Sequence, residues 1–317
     1  MTSEKVRQSQ RGRICSETTD KEQFLTLGKG LLVRAPAKIN LTLLIAGKRP
    51  DGFHELETIM AKIDWYDEIF IEPGDNKGTE LICTGPCWAP EGPDNLVYRA
   101  CKLLFEKAGK DWPVRVTLKK NIPAGTGLGS ASSDAASTLI GVNKFLNLGF
   151  EPNELSQMAG QLGSDVAFFI DGPAAFCTGR GEKVAPLREV FDFSALLVVP
   201  DISVSTKSIY ENYLHDKELY DQLSGQIQYC FREKDIDFSP RICVNMLQRT
   251  CLETHKELAQ LKEAIESLGV EPLCLSGSGS AMFYLRAGRD DAELKNYQRI
   301  VKAETGVDSV IVHNNKW

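Results

Sequence analysis

The stretch Pro123-Ala124-Gly125-Thr126-Gly127-Leu128-Gly129-Ser130-Ala131-Ser132-Ser133-Asp134-Ala135-Ala136 decides how this chain is read. Gly125, Gly127 and Gly129 can take positive φ and carry no Cβ, so backbone N–H groups can converge on a phosphate. Ser130, Ser132 and Ser133 add hydroxyl donors. The helix expected to begin here contributes the positive end of its dipole. Just upstream, VRVTLKK (114–120) reads as a strand. Strand, glycine loop and helix together suit an anionic ligand.

Other glycine loops match less well. A standard Walker loop needs Gly-Lys followed by Ser or Thr four residues after a glycine, and none occurs. The dinucleotide fingerprint is incomplete, because Ser130 replaces its last glycine. A protein-kinase loop would come with catalytic-loop and metal motifs that are missing. A tight turn of small residues for close helix packing is the bland alternative. A second cluster, Ser276-Gly277-Ser278-Gly279-Ser280, lies between apolar segments and by itself reads as a hairpin turn. Two such loops in one chain point to a site between two domains.

Outward from the loop, LLVRAPAKINLTLLIAGKR (31–49) alternates as a strand broken at Pro36 and Gly47, PDGFHELETIM (50–60) is a turn and short element, and AKIDWYDEIFIEP (61–73) is a further strand. DNLVYRACKLLFEKAG (94–109) carries a cap at its start and a glycine stop, so a helix is predicted there. Helices are also predicted over 151–162, 208–223, 242–268 and 292–304. Strands are predicted around 174–181, 194–199 and 308–313, and on both sides of the second glycine cluster.

The 317 residues suggest two domains, each able to bury its own core. With 42% hydrophobic residues and a net charge of −6, disorder is excluded. The 43 Asp and Glu against 37 Lys and Arg argue against a nucleic-acid partner. No run approaches the roughly 18 apolar residues of a membrane span. Nine scattered cysteines read as reduced thiols, and Cys83 and Cys87 lack the second pair of a zinc site. Residues 1–30 are polar, of both signs and without an apolar leader core, so a flexible tail and a cytoplasmic location are expected.

Taken in order, Pro36-Ala37-Lys38-Ile39-Asn40-Leu41, the loop at 123–136 and SGSGSAMF (276–283) resemble the GHMP small-molecule kinases. GKRPDGFHELETIM (47–60), LGSDVAFF (162–169) and DISVSTKSIYEN (201–212) narrow this to the 4-diphosphocytidyl-2-C-methyl-D-erythritol kinases. The resemblance runs from about Leu32 to the end of the chain. It implies a two-domain α/β (α+β) fold with the active site in the interdomain cleft, an ATP-binding domain over 31–185 and a substrate domain over 186–317. It also implies ATP-dependent phosphorylation of a tertiary 2-hydroxyl on the small molecule named by the family, in the methylerythritol phosphate route to isoprenoids. Another GHMP kinase of the mevalonate or sugar type, or a catalytically silent nucleotide-binding protein, are the alternatives.

The roles implied by the resemblance attach residue by residue. Asp165 and Lys38 match the catalytic pair. An alcohol is a poor nucleophile, so a carboxylate that accepts its proton is useful, and a neighbouring ammonium offsets the charge developing on the phosphoryl group. For ATP, the matching positions are the loop from Pro123 to Ser133, with Asn95, Leu96 and Lys120 expected near the adenine. For the second substrate, Phe53 and Tyr210 match the rings that sandwich the base, His54 its polar edge, and Thr206 a residue near the bound molecule. Asn40, which shares a strand face with Lys38, Gly277 and Gly279 complete the expected substrate site. Mg²⁺ is expected, its ligands open between Asp165, Ser132, Ser133 and phosphate oxygens with water. Two positions depart from the family pattern: Ala167 stands where proline is usual, and Phe53 where tyrosine is common.

Overall fold

The protein is described by a computed structural model covering residues 22–187, 192–233 and 242–317. Most of the expected tail therefore lies outside the described residues, as do residues 188–191 just after the expected domain boundary at 185/186. Within the described residues of that segment, β1 (Phe24–Leu27) pairs antiparallel with β2 (Gly30–Lys48). A run of only four residues is too short to announce a strand. It exists because β2 offers it an edge.

β2 continues without the breaks expected at Pro36 and Gly47. Against β3 (His54–Pro73) its register slips between Pro36 and Ala37, between Asn40 and Thr42, and between Ile45 and Gly47. The first slip inverts the alternation of side chains. Val33 and Ala35 enter one core, whereas Ala37, Ile39 and Leu41 enter the other. Lys38 and Asn40 consequently leave β2 on the side of Val33.

β3 pairs near its far end with β5 (Val114–Lys119) and near its start with β6 (Ala174–Gly179). β4 (Thr79–Thr84) runs parallel to β5, and β7 (Lys183–Pro186) closes the β6 edge. One face of this sheet is covered by α1 (Leu96–Ala108), α2 (Ser130–Leu146) and α3 (Pro152–Leu162). Gly141 of α2 lies so close that a Cβ there would sit 2.7 Å from Val33.

The other face meets a second, antiparallel sheet in the order β10 (Cys274–Leu275), β11 (Met282–Ala287), β8 (Phe193–Val198), β12 (Ser309–His313). Around it lie α4 (Thr206–Asn212), α5 (Lys217–Glu233), α6 (Gln248–Thr254), α7 (Lys256–Glu266) and α8 (Ala292–Thr305). Two predicted helices are thus each divided, at 213–216 and at His255, and the second is preceded by β9 (Val244–Asn245), which pairs parallel with β2. One continuous core joins β2 and β3 to β8 and β11.

A buried histidine ties the two sheets together. His313 Nδ1 meets Asp64 Oδ2 on β3 at 3.0 Å, Nε2 meets Asp291 Oδ1 at 3.0 Å, and the His313 N–H donates to Asp64 Oδ1 at 2.7 Å. Both ring nitrogens face carboxylates, so the ring donates twice only as imidazolium. The hydrogen bond to Asp64 is the main cause of a pKa raised above the ordinary value, against the cost of burial. A raised folded pKa stabilises fully below the unfolded value of about 6.5, and the gain is lost as pH climbs through the folded one. The melting-temperature gap between wild type and His313→Gln is expected to be roughly 5 °C at pH 6 and to shrink by pH 9. A gap that is constant across this range would disprove the imidazolium clasp.

Candidate active site

The loop 123–129 and the cluster 276–280 meet at the mouth of a cavity of about 780 Å³. Ser276 Oγ donates to Gly127 O at 2.9 Å, and Ala281 N donates to Thr126 O at 3.0 Å. Gly127 sits at φ 80°, and a Cβ there would lie 2.1 Å from Ser276 O. Asn245 at the end of β9 steadies the second loop by donating to Leu275 O and Gly277 O at 2.8 and 2.7 Å. Thr206 Oγ1 reaches Ser278 Oγ at 2.8 Å and links α4 to it.

Behind the loops, Lys38 is buried with its ammonium held from several sides. Nζ donates to Asn40 Oδ1 and to Gly127 O, the latter at 3.0 Å, and lies 3.8 Å from Asp165 Oδ2. Asn40 is fixed in turn, its Nδ2 donating to Thr58 Oγ1 at 2.9 Å. Burial lowers the Lys38 pKa, and the Asp165 charge opposes that. Gly129 lets this side chain pass: a Cβ there would stand 3.0 Å from Lys38 Cγ and 2.9 Å from the Phe169 ring.

Asp165 follows the end of α3 and precedes the 3-10 turn Ala167–Phe169, and its side chain is 38% exposed. The turn keeps its helical form with Ala167 in place of proline, since Phe169 N donates to Val166 O and Ile170 N to Ala167 O. Cys177 lies beside this pair, but burial and the Asp165 charge push its thiol up to about 12. It stays protonated and offers no nucleophile.

The far end of the cavity is aromatic. His54 and Tyr210 rings lie 5.3 Å apart, Tyr213 meets His54 edge-on at 5.9 Å, and the Arg180 guanidinium stacks on Phe53 at 4.9 Å. Burial, then Lys48 and His215, lower the His54 pKa, so the ring is neutral at pH 7 and presents one donor and one acceptor. Burial and Asp165 raise the Tyr210 phenol. Phe53 is 53% exposed and stands at the rim.

Of the expected site residues, Lys38, Asn40, Phe53, His54, Pro123 to Ser132, Asp165, Thr206, Tyr210 and Gly277 line the cavity. Five do not. Asn95 caps α1, accepting from Val97 N at 2.9 Å and donating to Pro90 O at 2.7 Å, and Leu96 begins that helix. Ser133 Oγ is buried. A Cβ on Gly279 would press on Leu275 and Cys251, so that residue faces the core.

Lys120, the fifth, has its ammonium donating to Asp67, to Ser130 Oγ and, at 2.6 Å, to Asp134 Oδ2. Three acceptors use all three N–H groups. Burial alone would lower this lysine, and the two carboxylates outweigh it. One ammonium cannot balance two buried carboxylates, and burial with the Asp67 charge pushes Asp134 well above the usual range. Asp67 also accepts from Asn121 N and Ile122 N at 2.6 and 2.9 Å, so the network fixes the approach to the glycine loop. Ser130, expected to face a phosphate, donates to Asp67 Oδ2 at 2.9 Å instead.

The sequence reading missed Lys48, Arg180 and Lys207, which join Lys38 on the cavity wall against Asp51, Asp165 and Glu211. No spacing links these cations. Pairing of Leu56 with Gly179 brings Arg180 to Phe53, a contact visible only once β3 and β6 are joined.

The profile described as GHMP kinases N terminal domain matches residues 95–173. A 4-diphosphocytidyl-2-C-methyl-D-erythritol kinase of a Geobacillus species is 37% identical over 255 residues, 80% of this chain and 88% of the relative. The chain belongs to the 4-diphosphocytidyl-2-C-methyl-D-erythritol kinase family. Another kinase of this name, from Chloroherpeton thalassium, is 37% identical across 82% of the chain and 90% of its own length. A crystal structure of a kinase of this family superposes with a TM-score of 0.70 at 28% identity, covering 89% of this chain and 98% of that one. Homoserine kinase from Cytophaga hutchinsonii, at 17% identity and a TM-score of 0.72, shares the fold. The expected α/β GHMP-kinase fold is thus the observed one, and no helix among the described residues is long and apolar enough to cross a membrane.

Proposed function

We propose that the chain transfers the γ-phosphoryl group of ATP to the 2-hydroxyl of 4-diphosphocytidyl-2-C-methyl-D-erythritol, in the cytoplasm and on the methylerythritol phosphate route. The observation that carries the reading is the Lys38–Asp165 pair, 3.8 Å apart, lying between the glycine loop and the aromatic end of one cavity. ATP phosphates would lie against the loop and the start of α2, whose first turn holds no acid to oppose them. The cytosine would lie among Phe53, His54 and Tyr210, with the His54 ring reading its polar edge.

In the transfer, Asp165 accepts the proton of the attacking hydroxyl as the new O–P bond forms and the bond to the ADP oxygen breaks. Lys38 offsets charge on the phosphoryl oxygens, and Asn40 and Gly127 O keep its ammonium aimed. Mg²⁺ would neutralise phosphate charge. Among the described residues no group of three metal-ligating side chains could hold it alone. Asp165 and Ser132 suit an ion that otherwise keeps phosphate oxygens and water.

Release of ADP by the purified protein tests this, with the cytidine substrate set beside mevalonate and galactose. Turnover of either alternative at the greater rate would refute the assignment. Tyr210→Ala is expected to raise KM for the cytidine substrate roughly tenfold or more by loss of stacking, leaving KM for ATP within twofold. Equal effects on both would remove Tyr210 from the base site.

A further inference from the structure

Lys62 is a buried cation for which the reaction above has no task. It lies on β3 directly opposite Lys38 on β2, so both side chains leave the same face with Cβ atoms about 5 Å apart. Thr58 and Met60, on that face of β3, line the cavity, and Lys62 is next in the row. It lies beneath the cavity floor, only 2% exposed.

Its surroundings differ from those of Lys120. Among the described residues no carboxylate stands within ion-pair distance, and burial brings the ammonium down to about 8 against the weaker pull of Asp171. Nζ donates to Phe169 O at 3.2 Å. That carbonyl closes the helical turn that begins right after Asp165, with Val166 already in helical geometry. The main chain of Lys62 is itself anchored, its N–H to Pro173 O at 2.8 Å and its carbonyl to Asn315 N at 2.9 Å. A buried ammonium without a counter-charge lowers stability. A methionine would fill the space without that cost, so the charge calls for a benefit elsewhere.

We propose that Lys62 is a positioning residue for phosphoryl transfer: by holding Phe169 O, it fixes the turn that follows Asp165 and so sets the carboxylate against Lys38 and the acceptor hydroxyl. This role rests on the kinase reading given above. A cation at the carbonyl end of a helical turn is also favourably placed for the local dipole.

Steady-state kinetics and thermal melts of the full chain, wild type beside Lys62→Met and Lys62→Gln, test it. Lys62→Met is expected to lower kcat about ten- to hundredfold, the scale of a misplaced catalytic group. KM for both substrates should stay within about twofold, and Tm should be equal or higher because the desolvated charge is gone. Lys62→Gln, whose amide N–H can still reach the carbonyl, should recover part of kcat. The proposal is overturned if Lys62→Met keeps wild-type kcat, if its Tm falls along with kcat, or if Lys62→Gln does no better. An inactive wild type would instead refute the substrate assignment, and the three proteins would then be compared by their acceptor-independent ADP release.

Discussion

Asp165→Asn is expected to lower kcat by about three orders of magnitude while ATP affinity stays within about threefold. The amide keeps the volume of the carboxylate but cannot take the proton of the attacking hydroxyl. It also removes the charge 3.8 Å from Lys38 Nζ. Lys38 keeps Asn40 and Gly127 O as acceptors, so its ammonium should stay in place and the loop that carries ATP should be undisturbed. A binding titration with ATP beside single-turnover kinetics separates the two effects. Near-normal turnover in the variant would show that the proton goes elsewhere, for example to a phosphate oxygen. A parallel collapse of ATP binding would make Asp165 part of the nucleotide site. Either result would alter the assignment of roles between Asp165 and Lys38.

Local chemistry was legible in the sequence. Asn95 and Gly109 bound α1 as cap and stop because the side-chain oxygen of the first accepts from a bare N–H and the second takes φ 68° without strain. The start of α2 and the strand before it were equally plain. Pro36 misled because proline stops a regular ladder, whereas here it marks a register slip within one strand. The breaks at 213–216 and at His255 carry neither glycine nor proline, so nothing local announced them. β1, β4 and β7 are short edge strands that depend on a neighbour for their hydrogen bonds.

The candidate site divides along the same line. The glycine loops, Lys38, Asp165 and the aromatic group sit in motifs, and they converge on one cavity. Lys120 sits in a motif too, but burial placed it in a closed ion network, which a linear reading takes for a ligand contact. Lys48 and Lys207 lie within the stretches 47–60 and 201–212 without any spacing that marks them as ligand-binding, and Arg180 lies outside every motif. They also change the electrostatic picture: a chain of net charge −6 gathers four cations against three carboxylates on the wall of this cavity. Two polyanionic ligands thus approach a locally favourable field in a globally acidic protein.

The second large effect is expected from a single methyl group. Gly127→Ala should reduce kcat/KM for ATP by about two to three orders of magnitude and lower Tm by several degrees. Two costs combine. Alanine at φ 80° is disfavoured by about 1–2 kcal/mol, and its Cβ would stand 2.1 Å from Ser276 O, far inside contact distance. Ser276 cannot retreat freely, because its N–H and carbonyl are tied to Ala281 O and Gly279 N and its Oγ to Gly127 O. The loop at 127 must therefore shift, and Gly127 O is one of the acceptors that aim Lys38. Gly109→Ala isolates the first cost, since φ there is 68° and nothing lies within 4 Å of the added Cβ. That variant should lose about 1–2 kcal/mol of stability and no activity. If Gly127→Ala behaved like Gly109→Ala, the contact between the two glycine loops would not be what aligns the lysine.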